Sequence, residues 1–244
     1  MIAVDGLNLD IHENEIFGLL GSNGAGKTTI IHMLATLLKP TSGTAIVNGY
    51  DIIKESSKVR TSIGIVFQAP SSDDMLTGYE NLKLSSLLYG VPRHSRENRI
   101  AEVLELVGLT ERKDDRVKKY SGGMRRRLEI ARGLIHKPKV IFLDEPTLGL
   151  DPSSRESMWK YIQQLVKEEK ITIILTTHYM EEADMLCDRI GIINKGKIIA
   201  LDTPSKLKSM IGSDIIKESS KVRTSIGIVF RLQAVMICLQ DMKI

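Results

Sequence analysis

Cysteine is almost absent from this chain: Cys187 and Cys238 are the whole complement, far apart and without the close spacing of a metal site. That argues against a disulfide-stapled scaffold and points to a reducing, cytosolic setting. No apolar run approaches the roughly 18–20 residues that span a bilayer, and Met1-Ile2-Ala3-Val4-Asp5 does not read as a signal peptide. The chain itself is therefore not expected to cross a membrane. Nor is either charge in large excess; a net charge of +4 gives little reason to expect a nucleic-acid partner. What remains is ordinary for a soluble globular protein: 42% hydrophobic and 26% charged residues in 244, enough for one large or two small domains.

Against that plain background one stretch stands out. Gly21-Ser22-Asn23-Gly24-Ala25-Gly26-Lys27-Thr28 fits G-x-x-x-x-G-K-[ST] without a mismatch. The apolar run Ile16-Phe17-Gly18-Leu19-Leu20 precedes it, and residues 29–38 have helical character with no Gly or Pro until Pro40. In this strand–loop–helix setting the glycines let backbone amides turn inward around phosphate oxygens, and the helix N-terminus adds its positive dipole end. Lys27 would reach the outer phosphates, and the Thr28 hydroxyl would hold Mg²⁺. The motif points to a nucleoside triphosphate as ligand.

Further along, strands and helices alternate. Ile63-Gly64-Ile65-Val66-Phe67 reads as a buried strand ending at Gln68-Ala69-Pro70, and residues 75–119 turn helical, broken at Gly90-Val91-Pro92. Gly122 and Gly123 precede a helix over 124–135. Strands are expected over 139–144 and 171–176, with a helix over 152–169 between them. Such alternation implies a mainly parallel sheet covered on both faces. The helical block at 75–119 reads as a subdomain inserted into that core.

Val140-Ile141-Phe142-Leu143 leads into Asp144 and Glu145, two carboxylates at a strand's end. Asp144 is placed to bind Mg²⁺, and Glu145 could polarise the water attacking a γ-phosphate. Thr176-Thr177-His178 ends the next strand, which puts His178 near the same sheet edge.

The segment Tyr120-Ser121-Gly122-Gly123-Met124-Arg125-Arg126-Arg127-Leu128 resembles the signature of ATP-binding-cassette (ABC) ATPases, whose common form is LSGGQ. Gln68, Leu148-Gly149-Leu150-Asp151 and His178 stand in that family's order. The resemblance covers about residues 3–211 and leans toward the nucleotide-binding subunits of ABC-2, daunorubicin-resistance-type exporters. It implies an α/β P-loop NTPase core with a mainly parallel sheet, an antiparallel β-subdomain and the helical insert, over residues 1–212. It implies an ATP hydrolase, with ATP and Mg²⁺ bound by Gly21, Ser22, Asn23, Gly24, Ala25, Gly26, Lys27, Thr28 and Thr29, and the metal held by Thr28, Gln68 and Asp144. Glu145 would be the general base, His178 would contact the γ-phosphate, and Gln68 would contact metal or water.

The resemblance further implies a head-to-tail pair, in which Ser121, Gly122 and Gly123 of one copy cover the ATP of the other and Asp151 touches the opposite subunit. A separate integral-membrane permease would convert closure into transport, with this chain peripheral on the cytoplasmic face of the cell membrane. A soluble, non-transport ABC ATPase and a catalytically silent fragment stand as alternatives. Tyr120 in place of Leu, and Met124 in place of Gln, remove no phosphate contact and are expected to cost little activity. The Arg125-Arg126-Arg127 run reads as a solvated helix face.

Two oddities remain. Ala3-Val4-Asp5-Gly6-Leu7 looks like the family's second strand, so the first strand, and the aromatic that stacks on adenine upstream of it, are expected to be missing. Base stacking of that kind is worth roughly 1–3 kcal/mol, so weaker and less adenine-selective binding is expected. At the other end, the sequence of residues 51–67 recurs without change at 214–230, with Arg231 where Gln68 should follow. A structural repeat would recur several times and drift. Residues 213–244 are therefore read as an aberrant tail, with 231–244 expected to pack poorly or stay mobile, and the copied strand 225–230 as a competitor for the place of 62–67.

Overall fold

The computed structural model describes residues 2–214 and 239–243. Its larger sheet has six strands in the order β5-β6-β7-β2-β8-β9: β2 (Ile16–Leu20), β5 (Ile63–Val66), β6 (Val140–Asp144), β7 (Thr172–Thr177), β8 (Arg189–Asn194) and β9 (Lys197–Asp202). All neighbours run parallel except the β8–β9 hairpin. The alternation of side chains along a strand divides the core in two. Ile141, Leu143, Ile173 and Leu175 cluster with residues of α5 (Gly122–Leu134) and α6 (Pro152–Glu169). Phe17, Leu19, Val140, Phe142 and Ile174 cluster with Ile30, Ile31 and Leu34 of α1 (Lys27–Leu34). Helices on both faces explain why the parallel strands read as unbroken apolar runs.

Helix α1 stops four residues short of the expected end. Thr36 adopts φ 62, and the Leu37 amide donates back to the His32 carbonyl at 2.8 Å, closing the helix before Leu38. The inserted block forms α3 (Gly78–Leu88) and α4 (Arg93–Leu106), separated at Gly90 with φ 67. Thr77 and Glu80 make a reciprocal capping box at the start of α3. Leu82, Ile100, Val103 and Leu104 join Leu128 and Ile130 of α5 in one cluster, so the insert shares the core of the larger sheet. A short helix, α2 (Ser56–Ser62), precedes β5 in a stretch where the sequence reading placed no element.

The smaller sheet is antiparallel, in the order β1-β10-β3-β4: β1 (Asp5–Leu9), β3 (Ser42–Val47), β4 (Tyr50–Asp51) and β10 (Leu239–Lys243). Within the expected tail, residues 239–243 depart from the reading of poor packing. Residues 239–243 form a strand seated between β1 and β3, with Asp5 opposite Lys243 and Ala45 opposite Leu239. The physical reason is ladder pairing: β10 supplies partners to backbone groups of β1 and β3 that would otherwise face each other across a gap. The copied strand 225–230 and the segment 231–238 lie outside the described residues. After β7 come α7 (Met180–Leu186), the β8–β9 hairpin turning at Lys195 and Gly196, and α8 (Pro204–Asp214). Among the described residues, no helix is long and apolar enough to cross a membrane.

Candidate functional site

The loop from Gly21 to Gly26 connects the end of β2 to α1, whose first residues are Lys27 and Thr28, at the edge of the sheet where β6 and β7 also end. Two of its glycines are sterically required. A Cβ on Gly21 would meet the Ile193 carbonyl at 2.5 Å, and one on Gly26, at φ 109, would meet the Ala3 carbonyl at 2.5 Å. The loop is thus wedged between the β8–β9 hairpin and the lead into β1, and the Gly196 amide donates to the Ala25 carbonyl at 2.9 Å. Ser22, Asn23 and Gly24 form its exposed rim, and Thr29 lies in the first turn of α1.

Lys27 is buried and bends back over the loop. Its Nζ donates to the Gly21 carbonyl at 2.8 Å and to the Ser22 carbonyl at 3.2 Å, and lies 3.6 Å from Glu145 Oε1. Thr28 Oγ1 donates to Asp144 Oδ1 at 3.2 Å, so the residues expected to share a metal already touch. Asp144 also accepts from the Thr176 hydroxyl. Gln68 lines a cavity of about 420 Å³ together with Thr28, His32, Phe67, Ala69, Asp144 and Leu148. The donors offered there are a hydroxyl, a carboxylate and an amide, hard oxygens that suit Mg²⁺. Among the described residues, no three of His, Cys, Asp and Glu are arranged to hold a metal ion by themselves. An ion at Thr28 and Asp144 would take the rest of its shell from water and phosphate.

Glu145 is held with care. Its backbone is left-handed at φ 48, a conformation that costs a non-glycine residue about 1 kcal/mol or more. Its amide donates to both the carbonyl (3.2 Å) and the hydroxyl (3.0 Å) of Thr176. His178 Nδ1 lies 3.2 Å from Glu145 Oε1, and its ring stands 4.1 Å from that of Tyr179. Lys27, Thr28, Gln68, Asp144, Glu145 and His178 therefore come together.

Ser121, Gly122, Gly123 and Asp151 form a second cluster. Ser121 Oγ caps α5 by accepting from the Met124 amide at 3.2 Å. Asp151 caps α6 by accepting from the Ser154 amide at 2.9 Å, and the Ser154 side chain first, then that amide, holds its carboxyl below the usual aspartate range. A Cβ on Gly123 would stand 3.2 Å from Ser154 Oγ, so the two helix starts lie side by side. The side-chain hydrogen bonds of Ser121 and Asp151 stay within this cluster and do not reach the phosphate loop.

The arginine run is not a solvated face. Arg125 pairs with Asp74, and Arg127 donates to the Val107 carbonyl at 3.1 Å. Arg126 is buried, and its guanidinium donates to the carbonyls of Phe67, Asp144 and Pro146. Three residues on, buried Glu129 accepts from the amides of Ser71 and Ser72 and from the Ser71 hydroxyl. Both ends of the loop after Gln68 are thus tied to α5. Glu182 was also missed; it is 1% exposed and accepts from the Thr147 hydroxyl at 2.7 Å and the Trp159 indole at 3.2 Å. The signal for Arg126 and Glu129 was their three-residue spacing, which puts both on the helix face shared with Ile130 and Gly133.

A phosphate loop after the central strand β2, with Asp-Glu closing β6 two places along the parallel sheet, defines a P-loop nucleoside triphosphatase. The family model "ABC transporter" matches residues 4–148, and the chain belongs to that family and carries its ATPase domain. It is 46% identical over 215 residues to the daunorubicin/doxorubicin resistance ATP-binding protein DrrA of Streptomyces peucetius, covering 88% of this chain and 65% of that one. The chain thus spans just under two thirds of that relative's length. Among solved structures, cbiO1 of Clostridium perfringens, part of the ABC transporter complex cbiONQ, superposes with a TM-score of 0.79 at 31% identity, covering 88% of each chain. An ATP-binding cassette in a dimeric post-hydrolysis state bound to ADP and Pi gives 0.71 at 25% identity, covering 84% of this chain and 99% of that one.

Proposed function

We propose that this chain is the ATP-hydrolysing subunit of a membrane exporter and works as a head-to-tail homodimer. The observation that carries the reading is the separation of the two clusters. Phosphate, metal and base groups converge around Lys27 and Glu145, while Ser121, Gly122, Gly123 and Asp151 make a helix-start surface of their own. Two copies related by a twofold axis would each bring the second cluster to the other's first. The likeness to a dimeric cassette bound to ADP and Pi supports this arrangement.

In this reading Lys27 and the loop amides bind the β- and γ-phosphates, and Thr28, Asp144 and Gln68 hold Mg²⁺, which neutralises developing phosphate charge when bound. Glu145 accepts a proton from the water that attacks the γ-phosphorus; the bond to the bridging oxygen breaks and ADP leaves. His178 faces the γ-phosphate and is kept in place by Glu145. ATP binding closes the pair, hydrolysis reopens it, and a separate permease at the cytoplasmic face of the membrane uses the motion. The relative named for daunorubicin and doxorubicin resistance supports export as the direction.

Glu145→Gln tests the chemistry. MgATP binding should persist while turnover falls by about 100-fold or more. Undiminished turnover would remove Glu145 from its role.

A further inference from the structure

Arg126 lies on α5, the helix that begins at the signature glycines, yet it reaches three peptide groups around the candidate centre. Only 8% of it is exposed. Its Nη1 donates to the Phe67 carbonyl at 2.6 Å, its Nη2 to the Asp144 carbonyl at 2.8 Å and its Nε to the Pro146 carbonyl at 2.8 Å. Each acceptor flanks a residue of the site. The Phe67 carbonyl belongs to the peptide bond that carries the Gln68 amide. The Asp144 carbonyl belongs to the one that carries the Glu145 amide, and the Pro146 carbonyl follows one residue beyond.

A guanidinium is a rigid, planar fork of donors. Three acceptors bonded to one such fork are fixed relative to one another as well as to the helix. No carboxylate is among them, so the group is used as a template for backbone orientation and not as half of an ion pair. The left-handed turn at Glu145 is bracketed by two of the three bonds, which is where a strained backbone most needs support.

We propose that Arg126 is a positioning residue for ATP hydrolysis: it locks the peptide planes of Gln68 and Glu145 in one relation, so that both side chains meet the same water. This rests on the roles given above to Gln68 and Glu145. Lysine keeps the charge but offers one compact ammonium that cannot bridge three separated carbonyls.

The test is Arg126→Lys in the full chain, with steady-state MgATP hydrolysis, MgATP binding and thermal unfolding measured together. The expected result is a fall in kcat of about 10-fold or more, with KM, nucleotide affinity and Tm close to the parent values. A kcat within about twofold of the parent would overturn the proposal. So would a KM or Tm that shifts in step with kcat, or a variant that does not fold, because either marks a purely structural group. Glu145→Gln run alongside separates the two possible failures. Full turnover there strikes the reading of the site itself. A silent Glu145→Gln beside a fully active Arg126→Lys strikes the positioning role alone.

Discussion

The Tyr120 hydroxyl occupies the space that a side chain on Gly78 would need: a Cβ built there would stand 2.2 Å from it. The same hydroxyl donates to the Arg112 carbonyl at 2.7 Å, and burial pushes its pKa up, so it stays a donor across the working range. Tyr120, at the leucine position of the LSGGQ form, is therefore hydrogen-bonded to the Arg112 turn while its ring end packs against the start of α3.

Removing that tie gives the first prediction. Tyr120→Phe should cost about 1 kcal/mol, the net worth of one hydrogen bond. Gly78→Ala should cost more, because a rigid ring end must move. Denaturant unfolding of both variants checks the order; a Gly78→Ala protein as stable as the parent would refute the steric argument.

Asp151 offers a pH test with a defined sign. Its carboxyl titrates below the ordinary value, first because of the Ser154 side chain and then the Ser154 amide. A depressed folded-state pKa means the stabilisation is fully present above the unfolded aspartate pKa near 3.9 and is lost as pH falls through the folded value. Asp151→Ala should therefore lower Tm at pH 7, and the gap to the parent should narrow as pH drops below about 4. A gap that stays constant from pH 7 to pH 3 would count against the cap as drawn.

The C-terminal strand can be tested by cutting it and by pinning it. Deleting 239–244 should leave β1 and β3 without their common partner and lower Tm by roughly 5–10 °C. Nucleotide affinity should weaken too, since the Ala3 carbonyl that abuts Gly26 lies just ahead of β1. In a Cys238→Ser background, Ser42→Cys with Lys243→Cys should form a disulfide within one chain, as these residues are opposite one another. A disulfide found only between chains, or a truncated protein with unchanged Tm, would contradict the pairing.

The parts of this molecule that could be read from the amino-acid order are those set by short spacing. The phosphate loop, the Asp144-Glu145 pair and the break at Gly90-Val91-Pro92 each need only a few consecutive residues, and the structure places them where the pattern does. What escaped depends on partners far away in the chain. Local spacing marks the helix face of Arg126 but not its partners; it is the nearness of carbonyls at 67, 144 and 146 that draws it inward. Helix α1 ends early because Thr36 turns left-handed, although neither Gly nor Pro marks the spot. The strand at 239–243 was illegible for the same reason: its sequence is unremarkable, and only the slot between β1 and β3 gives it a shape.

That slot couples distant stretches through the main chain alone: with β10 between β1 and β3, residues 239–243 join residues 5–9 to residues 42–47. Ladder pairing of this kind does not depend on side-chain identity, so most replacements in β10 should be tolerated. Proline at Gln240 should not be, because it takes away a ladder donor and opens the smaller sheet.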